Sequence, residues 1–253
     1  MGRAVKSCLL ALCLACTLSI ASIQSANAAR MSEDYQAGYR AYQSGQYKAA
    51  LSHWQTAALN DDPHAQYALG LLYYRGNVGS PDYREAAKWF GQAARANHGN
   101  ATYYLGLMYF NGRGLANDQF RATDFFKRAL RINPSNTNAA YLIGAQYFHG
   151  RGARQNFIEA AHYFEIAAKG NMHAAQFMLG AMIERGWGVP QSNENAYYWL
   201  RRAALGQITL PDGAEEEEPM DAASAVIEIE KRLTSDEIRR VDDRFAAEGH
   251  MIE

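Results

Sequence analysis

Apolar positions in this chain recur on two periods at once. The short period is helical. In "AAYLIGAQYFHG", Ala139, Ile143 and Tyr147 return every four residues, one face of a helix. In "FIEAAHYFEIAAKG", Ala160, Phe164, Ala167 and Ala168 share a face in the same way. The long period is that of the whole segment. A Leu-Gly or Ile-Gly pair stands at Leu69-Gly70, Leu105-Gly106, Ile143-Gly144 and Leu179-Gly180, at spacings of 36, 38 and 36 residues. Six residues after each of these glycines comes another, at Gly76, Gly112, Gly150 and Gly186. Fourteen residues further on stands a large apolar side chain, Phe90, Phe126, Phe164 or Leu200, preceded by Trp89, Phe125, Tyr163 or Trp199. A fixed period of this length predicts an array of helix pairs, each burying its apolar face against the next.

The glycines mark two different jobs. "YFNGRG" (Tyr109–Gly114) and "YFHGRG" (Tyr147–Gly152) put Gly-x-Gly where the first helix of a pair must stop. Glycine tolerates the left-handed conformation that ends a helix, and a second glycine lets the chain reverse. A phosphate-cradling reading fails, because neither copy follows a strand pattern, reaches a third Gly or continues to Gly-Lys-Ser/Thr. In the first unit the second glycine is displaced to Gly79, so that turn is expected to differ. Gly70, Gly106, Gly144 and Gly180 fall inside helices, where glycine costs about 1 kcal/mol against alanine. Four such positions predict close approach of another helix backbone.

The segments "AQYALGLLYYRG", "ATYYLGLMYFNGRG" and "AQFMLGAMIERGWGV", each followed by a "WF..AA"-type helix, resemble Sel1-like repeats, relatives of the tetratricopeptide repeat. The resemblance covers residues 65 to about 206, in units of about 65–100, 101–138, 139–174 and 175–206. "GQYKAALSHWQTAAL" within residues 33–62 resembles a plain tetratricopeptide unit. The resemblance implies an all-α fold, a right-handed α/α solenoid whose first helices line an inner groove. After Gly206, "QITLPDGAEEEEP" (207–219) reads as a solvated acidic loop. Residues 220–253 then read as two capping helices. Ala222, Val226, Ile229 and Leu233 form one face; Ile238, Val241 and Phe245 form another, after a capping box at Thr234–Glu237.

The first 28 residues stand apart. Arg3 and Lys6 precede the apolar run Cys8–Ile23, and Ala26-Asn27-Ala28 places small residues at a cut site. This order predicts a secretory signal peptide cut after Ala28 and a periplasmic or secreted protein. The alternatives are an uncut anchor and lipid attachment at Cys16; the latter lacks the usual Leu three places earlier, and without an anchor only it or a membrane-protein partner would bring the chain to a membrane. All three cysteines, Cys8, Cys13 and Cys16, lie in this leader, so the exported chain would have neither disulfide nor thiol chemistry. Losing Arg3 and Lys6 moves the formal charge from -1 to -3, which argues against nucleic acid as a partner.

Catalytic patterns are missing. There is no His-Glu-x-x-His, no Gly-x-Ser-x-Gly and no Cys pair, and the seven histidines share no repeat position. No cofactor, metal or catalytic residue is expected. The position just before the turn is Tyr74, Phe110 and Phe148, then Glu184, beside the changing neighbours Arg75, Asn111, His149 and Arg185. Constant positions build a solenoid, and variable ones can give it specificity. This stripe is the candidate partner-binding surface; the alternative is packing against the next unit's loop. The stripe Tyr67, Tyr103, Tyr141 and Phe177 reads as core. Exported Sel1-like proteins imply a non-catalytic protein-interaction scaffold of the cell envelope. Recognition of peptidoglycan or polysaccharide is the second reading. A β-lactam or cell-wall amide hydrolase is the third; the family branch linked to it carries a Cys pair per repeat, which this chain lacks.

Overall fold

The computed structural model describes residues 32–214 and 220–248. The leader with its cysteines, the Glu215–Glu218 run and His250 lie outside the described residues. Within those residues the chain forms twelve helices and no strand, and they group into two compact units divided after Ala93.

The first unit contains α1 (Glu33–Gln43), α2 (Tyr47–Leu59), α3 (Pro63–Arg75) and most of α4 (Tyr83–Arg95). Trp54, Leu69, Leu72 and Trp89 are buried in its core. Trp54 donates its indole N–H to the carbonyl of Tyr35 at 3.0 Å, so its one polar atom is satisfied. A methyl at Gly38 would sit 2.5 Å from the Trp54 ring, so α1 lies flat on that indole.

The second unit contains α5 (Gly99–Asn111), α6 (Gln119–Ile132), α7 (Thr137–His149), α8 (Phe157–Lys169), α9 (His173–Arg185) and α10 (Asn193–Ala204). It ends with α11 (Ala222–Glu230) and α12 (Ser235–Ala247). Successive helices pack as pairs, α5 on α6, α7 on α8 and α9 on α10, and α11 and α12 cover α10. Local chemistry sets the boundaries. Asn136, Asn156, Ser192 and Asp221 accept N–H groups at helix starts. The capping box at Thr234 and Glu237 is formed. The first helix of each Sel1-like unit stops at Gly76, Gly112, Gly150 or Gly186, all left-handed at φ of 67–71°. In the first such unit the second glycine, Gly79, has φ 151° and the turn indeed differs.

Two expectations are corrected. At Gly70, Gly106 and Gly144 the nearest atoms are side chains rather than a neighbouring helix backbone; only at Gly180 does a backbone group, the Ala196 carbonyl oxygen at 3.3 Å, also come close. Each admits the ring or branched chain of its own partner helix: a methyl would stand 2.4 Å from Phe90 at Gly70, 2.6 Å from Phe126 at Gly106, 2.9 Å from Phe164 at Gly144 and 2.8 Å from Leu200 at Gly180. The backbone approach occurs instead at the second turn glycine. A methyl on Gly152 would lie 2.2 Å from the carbonyl oxygen of Gln119, and one on Gly188 2.2 Å from the carbonyl carbon of Phe157. Each turn therefore presses on the start of the preceding unit's second helix. The second correction concerns the acidic loop. Its described part, 207–214, is not a solvated excursion, because Pro211 is buried and Ile208, Leu210 and Ala214 pack on the core.

Candidate partner-binding pocket

The inner faces of α7 and α9 form the floor of a cavity of about 690 Å³. Tyr141, Leu142 and Ala145 come from α7, and Phe177, Met178 and Ala181 from α9. Phe110 closes one side. Ala214, Met220 and Ala225 close another, so the C-terminal segment is part of the wall. Such a volume, with an apolar floor and a few polar groups, lies in the range of ligand pockets.

The stripe positions reach this cavity because the αL glycine stops each helix just beyond them. The last carbonyls of the helix are then free to be bonded from the turn. Gln155 Nε2 donates to the carbonyl of Phe148 at 2.8 Å, and Gln191 Nε2 to that of Glu184 at 2.8 Å. Asn117 and Gln119 do the same at Phe110. These amides fix the stripe residues in place.

Phe110, Phe148, His149, Glu184 and Arg185 all line the cavity. Asn111 does not; its side chain lies beside Gly213. Tyr74 and Arg75 belong to the first unit. Tyr74 is buried, edge-on to Tyr83 at 5.4 Å, and so serves as packing there. Arg75 donates to the Tyr42 hydroxyl at 3.0 Å. In the core-reading stripe, Tyr103 and Tyr141 are buried, while Tyr141 and Phe177 also show an edge to the cavity.

Charge is uneven around the cavity. Glu184 Oε1 accepts from Arg232 Nη1 at 2.8 Å, which pairs the one acidic group among the described residues of the wall. Arg151 and Arg185 both line it, and the Arg185 guanidinium lies over the Trp187 ring at 4.9 Å. Gln146, buried at the floor, donates to Gln119 Oε1 at 2.8 Å.

Trp187 and Arg151 escaped the sequence reading. A signal was present. The residue between the paired glycines is Arg113, Arg151 and then Trp187. In the unit where the aromatic stripe gives way to Glu184, an aromatic returns three residues later. Trp187 stacks on Phe157 at 5.7 Å, meets Phe148 at 5.7 Å and remains 37% exposed. Phe148 is thus both packed against the next unit's turn and open to the cavity. Among the described residues no cluster of His, Cys, Asp and Glu is placed to hold a metal.

The Sel1 repeat family profile matches four segments, residues 63–98, 99–133, 137–172 and 173–207. Two solved structures are similar to this chain. One is a protective antigen of uropathogenic Escherichia coli strains displaying an SLR fold, 22% identical, with a TM-score of 0.68 over 86% of this chain and 45% of that one. This chain thus spans less than half of that structure's length. The other is a Sel1 repeat protein from Oxalobacter formigenes, 25% identical, with a TM-score of 0.64 over 80% of this chain and 91% of that one. Among curated proteins none matches. Sel1 repeats generally mediate protein–protein interaction. With four matched repeats over more than half its length, and helix pairs closed by the repeat's glycines, the chain belongs to the Sel1-repeat family.

Proposed function

We propose that this protein is a non-catalytic interaction scaffold that captures a partner protein in the cavity over α7 and α9. The observation that carries this reading is the aromatic cluster Phe148, Phe157 and Trp187, held open beside two arginines. Aromatic and Arg side chains are the enriched anchors of protein interfaces. Glu184 of the wall is paired with Arg232, which leaves the aromatic cluster as the anchor of the site. The leader-like first 28 residues support a place in the cell envelope, with Cys16 as the alternative tether.

A photo-crosslinker at Phe148, in the native envelope, tests the reading, with Glu165 on α8 as control. One discrete protein adduct at Phe148 and none at Glu165 is the expected outcome. Equal labelling at both positions would sink it. Phe148→Ala should weaken the captured complex at least tenfold, about 1.4 kcal/mol or more, with helical content unchanged. The exposed face of Trp187 also suits a sugar ring, and retention on purified cell-wall material without added protein would favour that second reading.

A further inference from the structure

One register of the inner helices changes character along the chain. The residue after the mid-helix glycine is Leu71 in α3 and Leu107 in α5, but Ala145 in α7 and Ala181 in α9. The residue after that, Leu72, Met108, Gln146 or Met182, is buried in every unit, so the register itself is kept. Leu107 is 1% exposed. Ala145 and Ala181 are half-buried, and both line the cavity of about 690 Å³. Protein interiors are close-packed, so a side chain cut back to a methyl leaves its space behind. Two such cuts, one on α7 and one on α9, open onto the same space. Nothing in the helix pair demands alanine there. Leu107 follows Gly106 on α5, and α5 packs on α6 as α7 packs on α8.

The walls around the two alanines are rich in rings. Phe110, Tyr141, Phe148, Phe177 and Trp187 line the cavity, with the thioether of Met178 beside them. Phe148 and Trp187 already meet at 5.7 Å between centroids, inside the range of about 4.5–7 Å where rings attract through offset and edge contacts. Methionine sulfur favours ring edges, and its unbranched chain adapts to them. An aliphatic anchor would bury apolar area against these walls. A ring would bury that area and add ring–ring and sulfur–ring contacts.

We infer that Ala145 and Ala181 are the specificity-determining positions of this cavity, and that the anchor they admit is an aromatic side chain presented by the partner. The inference rests on the reading of the cavity as a partner site and deepens it. Leucine at these two positions would close the space that leucine already closes in α5.

The test uses a fluoroindole, an anchor ring without its chain, titrated into the purified protein and followed by fluorine NMR. N-acetyl-tryptophanamide and N-acetyl-leucinamide then compete for its place. The filled variant carries Ala145→Leu and Ala181→Leu, and each substitution is also made alone. Ala223→Leu adds the same side chain at an exposed position of α11 that does not line the cavity. Circular dichroism and urea midpoints verify that the variants fold. The unaltered protein and Ala223→Leu should bind the probe saturably, and the filled variant at least about tenfold more weakly. The tryptophan compound should displace the probe at a concentration at least about threefold below the leucine compound, a comparison that needs no variant. Equal binding by the filled variant, equal displacement by the two compounds, or no saturable binding by the unaltered protein overturns the inference. In the envelope, a crosslinker at Phe148 that still forms its protein adduct at full yield in the filled variant overturns it too, and leaves the scaffold reading standing. Absence of any protein adduct removes the scaffold reading instead, while the titration still reads the cavity by itself.

Discussion

Single positions explain the most regular feature of the sequence. Gly144 has its place because the Phe164 ring lies where a side chain would begin, and the same holds at Gly70 and Gly106 with Phe90 and Phe126. Phe164 is fully buried, so the ring has no room to retreat. Gly144→Ala should gain helix propensity but overpack the pair, for a net loss of about 1–3 kcal/mol in urea unfolding. Coupling it with Phe164→Leu should recover part of that loss, and a double-mutant cycle measures the recovery. The glycine spacing was legible in the sequence, because a helix-breaking residue kept at one register advertises crowding. What crowds it was not legible: whether a ring or a backbone fills the gap depends on the distance between two helices. Trp187 shows the same limit. Its place between two glycines marks it as a turn residue, and only packing against Phe157 turns its ring toward the cavity.

Helix ends and their ion pairs decide how the elements hold. Asn156 accepts two N–H groups at the start of α8, from Ile158 at 3.0 Å and Glu159 at 3.2 Å. Asn156→Ala should lower stability by about 1 kcal/mol, seen as a shifted urea midpoint with an unchanged slope. The last helix depends on charge. Glu194 of α10 receives a bidentate hydrogen bond from Arg240 of α12, and this holds its carboxyl below the usual glutamate value. Bonding to the Thr234 N–H and hydroxyl lowers Glu237 in the same direction. A carboxyl with a lowered folded-state pKa stabilises above its unfolded value, near ~4.3, and loses that contribution as the pH falls through the folded value. The protection of α12 amides against hydrogen exchange should therefore be flat from about pH 5 to 8 and fall below roughly pH 4, ahead of the amides of α7 and α8. Tyr198 bonds Glu248 at 2.7 Å, so Tyr198→Phe should loosen the same helix at neutral pH. The capping box behind this helix could be read directly from Thr234 and Glu237. The ion pairs could not, because Glu194 and Arg240 meet only through the fold.

At the scale of the whole molecule, each of the two units has a buried cluster among the described residues. One is centred on Trp54, Leu69 and Leu72, and the other runs from Tyr103 to Phe245. Helical arrays gain stability unit by unit. Trp54→Ala should therefore cost about 3–5 kcal/mol in the first cluster, read as faster amide exchange in α1 and α2. Amides of α7 to α10 should keep their protection. The all-α fold and the four repeats were plain from periodicity, since every unit restates the same spacing. The path of residues 207–214 was hidden, because acidic and proline-rich composition describes exposed loops on average and is silent about where Ile208 and Leu210 go. One joint in the second unit has a wider consequence. Gly152 and Gly188 each meet the main chain at the start of the preceding second helix, at Gln119 and Phe157. Main chain is common to all residues, so this contact makes few demands on its neighbour, and the particulars of each seam lie in side chains such as Trp187 on Phe157 and Gln146 on Gln119. A unit can be duplicated or lost with both of its seams intact. The number of units is then a quantity that evolution can change by whole steps.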